Sequence, residues 1–110
     1  MFKDSAPATD AGSVPEGAYL LDVREPDEWQ AGHAPAAVHI PLGELQARVD
    51  EVPQERDVYV VCRSGGRSAQ ATMFLNSGGW RATNVDGGMQ AWAAAGLPMD
   101  AESGRPPQVA

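Results

Sequence analysis

Cysteine is almost missing from this chain of 110 residues: Cys62 is the only one. A single thiol excludes an internal disulfide and a thiolate-rich metal site, both of which need several cysteines. It also leaves no resolving thiol within the chain. Long apolar runs are lacking as well. No stretch approaches the roughly 20 apolar residues of a membrane-spanning helix, and the opening Met1-Phe2-Lys3-Asp4-Ser5 has none of the apolar character of a signal peptide. Basic residues are scarce: 8 Lys and Arg stand against 15 Asp and Glu, a formal net charge of −7. A field of that sign repels polyanions, so nucleic acid and anionic membrane are not expected partners. The reading that follows is a soluble, cytoplasmic protein, in a reducing compartment that suits a lone free thiol.

The residues that are present describe one ordinary globular domain. Apolar residues make up 43% of the chain, enough for a single core at this length. Residues 1–17 are rich in Ala, Pro, Ser, Asp and Gly without a clear period, and read as a loose lead-in with a short edge strand near Met1-Phe2-Lys3. The domain is expected over 18–99. Residues 100–110, with Gly104, Pro106 and Pro107, read as a flexible tail.

Between these ends, short apolar runs alternate with helical patterns. Tyr19–Val23, Ala37–Ile40, Val58–Cys62 and Ala82–Val85 read as strands, the third most strongly because it is β-branched and aromatic. Pro26 at a first helical position, Asp27 and Glu28 in the first turn and Gly32 at the exit mark one helix. Leu42, Leu45 and Val49 share a helical face. Ala69 and Met73, with Ala71 and Phe74 on the adjoining stripe, mark a third helix ended by Gly78-Gly79. Met89, Trp92 and Ala93 mark a fourth, stopped by Gly96 with Pro98 beyond. Uninterrupted apolar strands alternating with helices predict an α/β fold with a central parallel sheet, helices on both faces. Ligands in such folds bind beyond the carboxyl ends of the strands, and Cys62 stands at one.

The segment Cys62-Arg63-Ser64-Gly65-Gly66-Arg67-Ser68 carries the chemistry. It leaves a buried strand and opens a helix. Gly65 and Gly66 allow a tight loop whose N–H groups turn inward as an anion-binding nest, the helix adds its positive end, and Arg63 and Arg67 add forked cationic donors. Burial raises a thiol pKa, whereas inward N–H groups and arginines lower it. The positive contributions are expected to win and to favour a Cys62 thiolate. A lone cysteine after a strand is more often a buried packing residue, but packing alone has no use for two arginines and two glycines behind it.

The chain resembles a single-domain rhodanese from about Tyr19 to Pro98. The matching pieces are L-L-D-V-R-E-P-D-E-W (Leu20 to Trp29), G-H-A-P-A-A (Gly32 to Ala37), I-P-L-G-E-L (Ile40 to Leu45), V-Y-V-V-C-R-S-G-G-R-S (Val58 to Ser68) and N-V-D-G-G-M-Q-A-W (Asn84 to Trp92), in the family's order and spacing. Ala36 departs from the pattern, where Gly is usual, and the N-terminus is shorter than in many relatives. The resemblance implies a rhodanese-like fold and transfer of sulfane sulfur through a persulfide on Cys62. Arg63, Ser64, Gly65, Gly66, Arg67 and Ser68 would form the substrate cradle. The donor would be thiosulfate or another small anionic sulfur donor, and the acceptor cyanide, a small thiol or a protein thiol. No cofactor is implied.

Two rivals remain beside that reading. Cysteine phosphatases and arsenate reductases use a similar cradle but space their residues C-x5-R; here Cys62 and Arg67 are spaced C-x4-R, a smaller ring. A relay module passing sulfur between proteins would keep the same persulfide. Elsewhere, Asp22 and Arg24 read as a structural ion pair in preference to a pocket rim. His33 and His39 are isolated and make no metal site. Trp29, Trp80 and Trp92 read as core or lid residues, and Asp86 as a helix cap that could border the pocket.

Overall fold

The computed structural model describes residues 6–102 and 104–110. Its strands are β1 (Ala8–Asp10), β2 (Tyr19–Asp22), β3 (Val38–His39), β4 (Asp57–Val61) and β5 (Arg81–Asp86), and its α-helices are α1 (Pro26–Ala31), α2 (Leu42–Leu45), α3 (Gly66–Ser77) and α4 (Gly88–Ala94). The five strands form one sheet in the order β1-β5-β4-β2-β3, with every pair parallel. β4 is the central strand, so the residue that follows it, Cys62, emerges from the middle of the sheet.

Alternation along the strands explains their unbroken apolar character. Leu21 and Val60 pack into one cluster with Leu45, Ala71 and Leu75, against α2 and α3. Their neighbours Leu20 and Val61 face the other way and pack with Ala11, Val85 and Met89, against α4 and a 3-10 turn at Ala11–Ser13. Successive strand side chains point to opposite faces, so a sheet covered on both sides needs apolar residues at consecutive positions. The α/β architecture with helices on both faces is what the strand–helix alternation predicts.

Several local expectations differ from the structure. Part of the segment read as a loose lead-in is the edge strand β1, paired with β5 from Ala8↔Asn84 to Asp10↔Asp86; the strand expected near Met1-Phe2-Lys3 lies outside the described residues. The segment read as a tail runs back along α1. Asp100 exchanges backbone hydrogen bonds with His33, Glu102 N donates to the Gln30 carbonyl, and Gln108 N donates to the Ala31 carbonyl. A Cβ on Gly32 would come within 2.4 Å of the Gln108 carbonyl oxygen, so glycine is required for that approach.

The helix expected through Leu42, Leu45 and Val49 is interrupted: α2 ends at Leu45 and a 3-10 turn follows at Val49–Glu51. Arg48 sits at the break and is paired to both Glu44 and Glu51. All three apolar side chains still reach the same cluster. On α3 the buried face is Ser68, Ala71, Thr72 and Leu75, whereas Met73 and Phe74 are exposed. Two polar residues occupy core positions there because their hydroxyls are satisfied; Thr72 Oγ1, for one, donates to the Ser68 carbonyl.

Candidate active site

The loop between β4 and α3 is tight because Gly65 takes φ +114°, in the left-handed region, before the helix begins at Gly66. Only one of the two glycines is demanded by conformation. Gly66 has no positive φ, and a Cβ built on it meets nothing within 4 Å. A third glycine outside the loop is indispensable. Gly88, at φ +55°, starts α4 so close beneath the loop that a Cβ would sit 2.3 Å from the Cys62 carbonyl oxygen and 2.7 Å from Arg63. Met89 N donates to the Cys62 carbonyl at 2.7 Å and Gln90 N to the Arg63 carbonyl at 3.0 Å. The N-terminal amides of α4 thus fix the backbone at the end of β4 that carries Cys62. Gly87 caps that helix without a side-chain bond, and Asp86, expected as its cap, is an exposed strand residue.

The loop wraps around sulfur. Gly65 N donates to Cys62 Sγ at 3.1 Å and Ser68 Oγ approaches it at 3.3 Å. Cys62 is only 1% exposed. Burial is the largest single influence on its thiol and pushes the pKa up. The Ser68 hydroxyl and the backbone N–H groups of Ser68, Gly65 and Ser64 oppose it, and together they hold the pKa below the ordinary cysteine value. Neutral dipoles thus favour the thiolate more than at an ordinary cysteine.

The two arginines stand differently from what their position in the loop suggests. Arg67 is committed to Glu28 of α1: Nη1 lies 2.7 Å from Oε1 and Nη2 2.9 Å from Oε2, a bidentate pair. Arg63 is exposed and donates from Nε to the Ala110 carbonyl at 2.9 Å. Among the described residues neither guanidinium is hydrogen-bonded to the sulfur. Cys62, Ser64, Gly65 and Ser68 are therefore brought together around Sγ, while Arg63, Gly66 and Arg67 form the surround.

Glu28 and Asn84 are the site residues that motif reading missed. Glu28 closes the capping box of α1 by accepting the Glu25 N–H at 2.9 Å. The Arg67 side chain is the main cause that draws its carboxyl down to about 2. Asn84, 5% exposed on β5, accepts from the Ser68 hydroxyl through Oδ1 and donates through Nδ2 to the Gly65 carbonyl at 3.3 Å. Ser68 has one hydroxyl proton, so Asn84 and the sulfur compete for it. A lone Asn within a buried strand, in line with a Ser after the loop, was the available signal for this contact.

Behind the site, Asp22 and Arg24 form a fully buried ion pair. Arg24 Nε reaches Asp22 Oδ1 at 2.9 Å, and its Nη2 reaches Asp22 Oδ2 and the Gly32 carbonyl, each at 2.7 Å. Both side chains are sealed from solvent, in keeping with a structural pair. Trp29 stacks with both His33 and His39, whose nitrogens bond the Trp29 and Arg24 carbonyls. An apolar cavity of about 370 Å³ lies among Val14, Leu20, Ala34, Trp92 and Leu97; neither Cys62 nor its loop lines it. No helix among the described residues is long and apolar enough to cross a membrane.

Comparison with known proteins agrees with this geometry. The family model described as Rhodanese-like domain matches residues 7–95. A protein named Sulfurtransferase from Allochromatium vinosum is 42% identical over 90 residues, 81% of this chain and 84% of that one. The crystal structure of a rhodanese-related protein from Thermoplasma volcanium superposes with a TM-score of 0.81 at 32% identity, covering 86% of this chain and 97% of that one. The solution structure of a rhodanese-like domain from Anabaena gives a TM-score of 0.81 at 28% identity, over 94% of this chain and 86% of that one.

Proposed function

The chain belongs to the rhodanese-like domain family of sulfurtransferases, and from that premise we propose that it moves sulfane sulfur through a persulfide on Cys62. The observation that carries the reading is the ring of donors on one sulfur atom: the N–H groups of Ser64, Gly65 and Ser68 and the Ser68 hydroxyl. Donors aimed at a fixed anionic position need no reorganisation when charge arrives there. The same ring that holds a bare thiolate can hold a terminal persulfide sulfur.

The chemistry takes two displacement steps in ping-pong order. The Cys62 thiolate attacks the outer sulfur of the donor; with thiosulfate a Cys62 S–S bond forms, the S–S bond of the donor breaks, and sulfite leaves with the bonding pair. An acceptor nucleophile, cyanide or a thiolate on a small molecule or a protein, then attacks the outer persulfide sulfur and Cys62 leaves as thiolate. The ring of donors favours the thiolate form from which this attack starts. A cytoplasmic setting, in which such thiols stay reduced, accords with the reading. Phosphate-ester cleavage is disfavoured by the loop itself: its donors converge on one sulfur, and the Arg67 guanidinium is engaged by Glu28.

Steady-state sulfur transfer tests the proposal. Thiocyanate should form from cyanide and a sulfane donor (thiosulfate or a small hydropersulfide) with parallel reciprocal plots, and Cys62→Ser should abolish it. Sequential kinetics, or turnover that survives Cys62→Ser, would overturn it. Sulfur loading from a protein donor without turnover of small donors would point to the relay role instead.

A further inference from the structure

We infer that Glu28 sets the charge selectivity of this site, disfavouring anionic reagents at Cys62 relative to neutral ones, the more so the higher their charge. The inference deepens the sulfurtransferase reading and rests on it for its biological meaning, though not for its test.

Two observations carry it. The first is the bidentate pair itself. Both terminal nitrogens of Arg67 are taken by the Glu28 carboxylate, at 2.7 and 2.9 Å, and Glu28 is held in place from its other side by the Glu25 N–H. The pair is well shielded, with the Glu28 side chain 14% and the Arg67 side chain 34% exposed, so water weakens it less than a surface pair. The second is that Arg67 belongs to the loop around the sulfur, next to Ser68, whose hydroxyl approaches Cys62 Sγ at 3.3 Å. The cation that position assigns to substrate binding is thus neutralised by a carboxylate from another helix. Arg63 remains as a cation of the loop whose contact is a carbonyl.

Charge balance shows what this means for a donor. Thiolate attack on thiosulfate gathers three negative charges before sulfite departs. Attack on an organic hydropersulfide gathers one: the Cys62 sulfur bonds the outer sulfur, the RS–SH bond breaks, and a thiolate RS⁻ leaves while the proton stays on the new persulfide. Neutral N–H dipoles suffice for the second case. The first needs Arg67, which must then be taken from Glu28, or must bring a carboxylate beside the incoming anion. Like charge placed against a reagent is a recognised device for rejecting it.

Alkylation of Cys62 in the full chain by iodoacetate and by iodoacetamide measures this directly. The two reagents share a leaving group and differ by one charge. Any change in thiolate population alters both rates equally and cancels in their ratio. Glu28→Gln keeps the capping box, which accepts Gln as readily as Glu, and should raise the iodoacetate-to-iodoacetamide ratio about three- to tenfold, the range expected for one partly shielded charge. Asp27→Asn, which removes one charge from the exposed side of the same turn, should leave the ratio within about twofold, because exposed charges are screened. Glu28→Asp, which draws the carboxylate back from Arg67, should move the ratio the same way by less, and serves if the Gln variant does not fold. An unchanged ratio, or a fall, would overturn the inference. In sulfur-transfer assays Glu28→Gln should lower KM for thiosulfate more than KM for a hydropersulfide. Absence of transfer from either donor would defeat the sulfurtransferase reading while leaving the alkylation result to stand.

Discussion

Ser68→Ala isolates one donor in the ring on Cys62. The residue is fully buried at the start of α3, and its hydroxyl is, among the described residues, the one side-chain donor acting on the sulfur. Hydrogen bonds to charged groups contribute about 1.5–3 kcal/mol. The contact is long, 3.3 Å, and its proton is contested by Asn84 and by the Gly65 carbonyl, which places it at the lower end, about 1.5 kcal/mol. That is roughly a tenfold change in an equilibrium constant. The direction follows from the sign: the hydroxyl lowers the thiol pKa, so its loss raises the pKa and shrinks the thiolate fraction at neutral pH. The pH dependence of iodoacetamide alkylation reads this. The variant's curve should shift to higher pH, with a slower rate on its rising limb and an unaltered plateau at high pH. An identical curve would mean that the hydroxyl proton belongs to Asn84 throughout and that the amides alone hold the thiolate. A shift to lower pH would refute the reasoning.

The remaining predictions concern the frame around that sulfur. Asp22→Asn leaves the Arg24 guanidinium buried without its carboxylate and should cost about 3–5 kcal/mol, read as a large fall in the denaturant midpoint. Gly66→Ala should be neutral or stabilising by up to about 1 kcal/mol, whereas Gly65→Ala, at φ +114°, should destabilise the protein and slow alkylation of Cys62. The Glu28 carboxyl is held near 2 in the folded chain against an ordinary value of 4.5. Its contribution to stability should therefore be complete above about pH 4.5 and fade as pH falls toward 2. Acid unfolding of the parent and of Glu28→Gln should converge over that window, and a difference that stays constant through it would contradict the assignment.

Those features that depend on local pattern were legible in the sequence. The apolar run Val58–Cys62 marks the central strand because a sheet covered on both faces buries every residue of it, and the glycine-rich turn after it marks the nest. What escaped notice depends on partners distant along the chain. β1 is a three-residue strand, Ala-Thr-Asp, with little intrinsic strand character; it exists because β5 offers an edge. Ser68 and Thr72 hold the buried face of α3 ahead of Met73 and Phe74 because their hydroxyls find partners in the site, which apolar periodicity cannot register. Arg67 meets Glu28 across 39 positions. From the loop alone its guanidinium reads as a free cation, and a helix-first-turn glutamate reads as a cap. Gly88 gave a faint signal, a second glycine where one would make the turn, and its reason is the 2.3 Å approach to the Cys62 carbonyl.

Sulfur transfer by this chain turns on one covalent event, the arrival of a single sulfur atom on Cys62 within its ring of N–H groups. Intact-mass spectrometry of the chain after incubation with a sulfane donor follows that event without any assumption about the acceptor. One added sulfur, located on Cys62, released by cyanide and absent from Cys62→Ser, is the predicted result. A chain whose mass is unchanged by thiosulfate and by hydropersulfides alike, or whose added sulfur survives in Cys62→Ser, would contradict it.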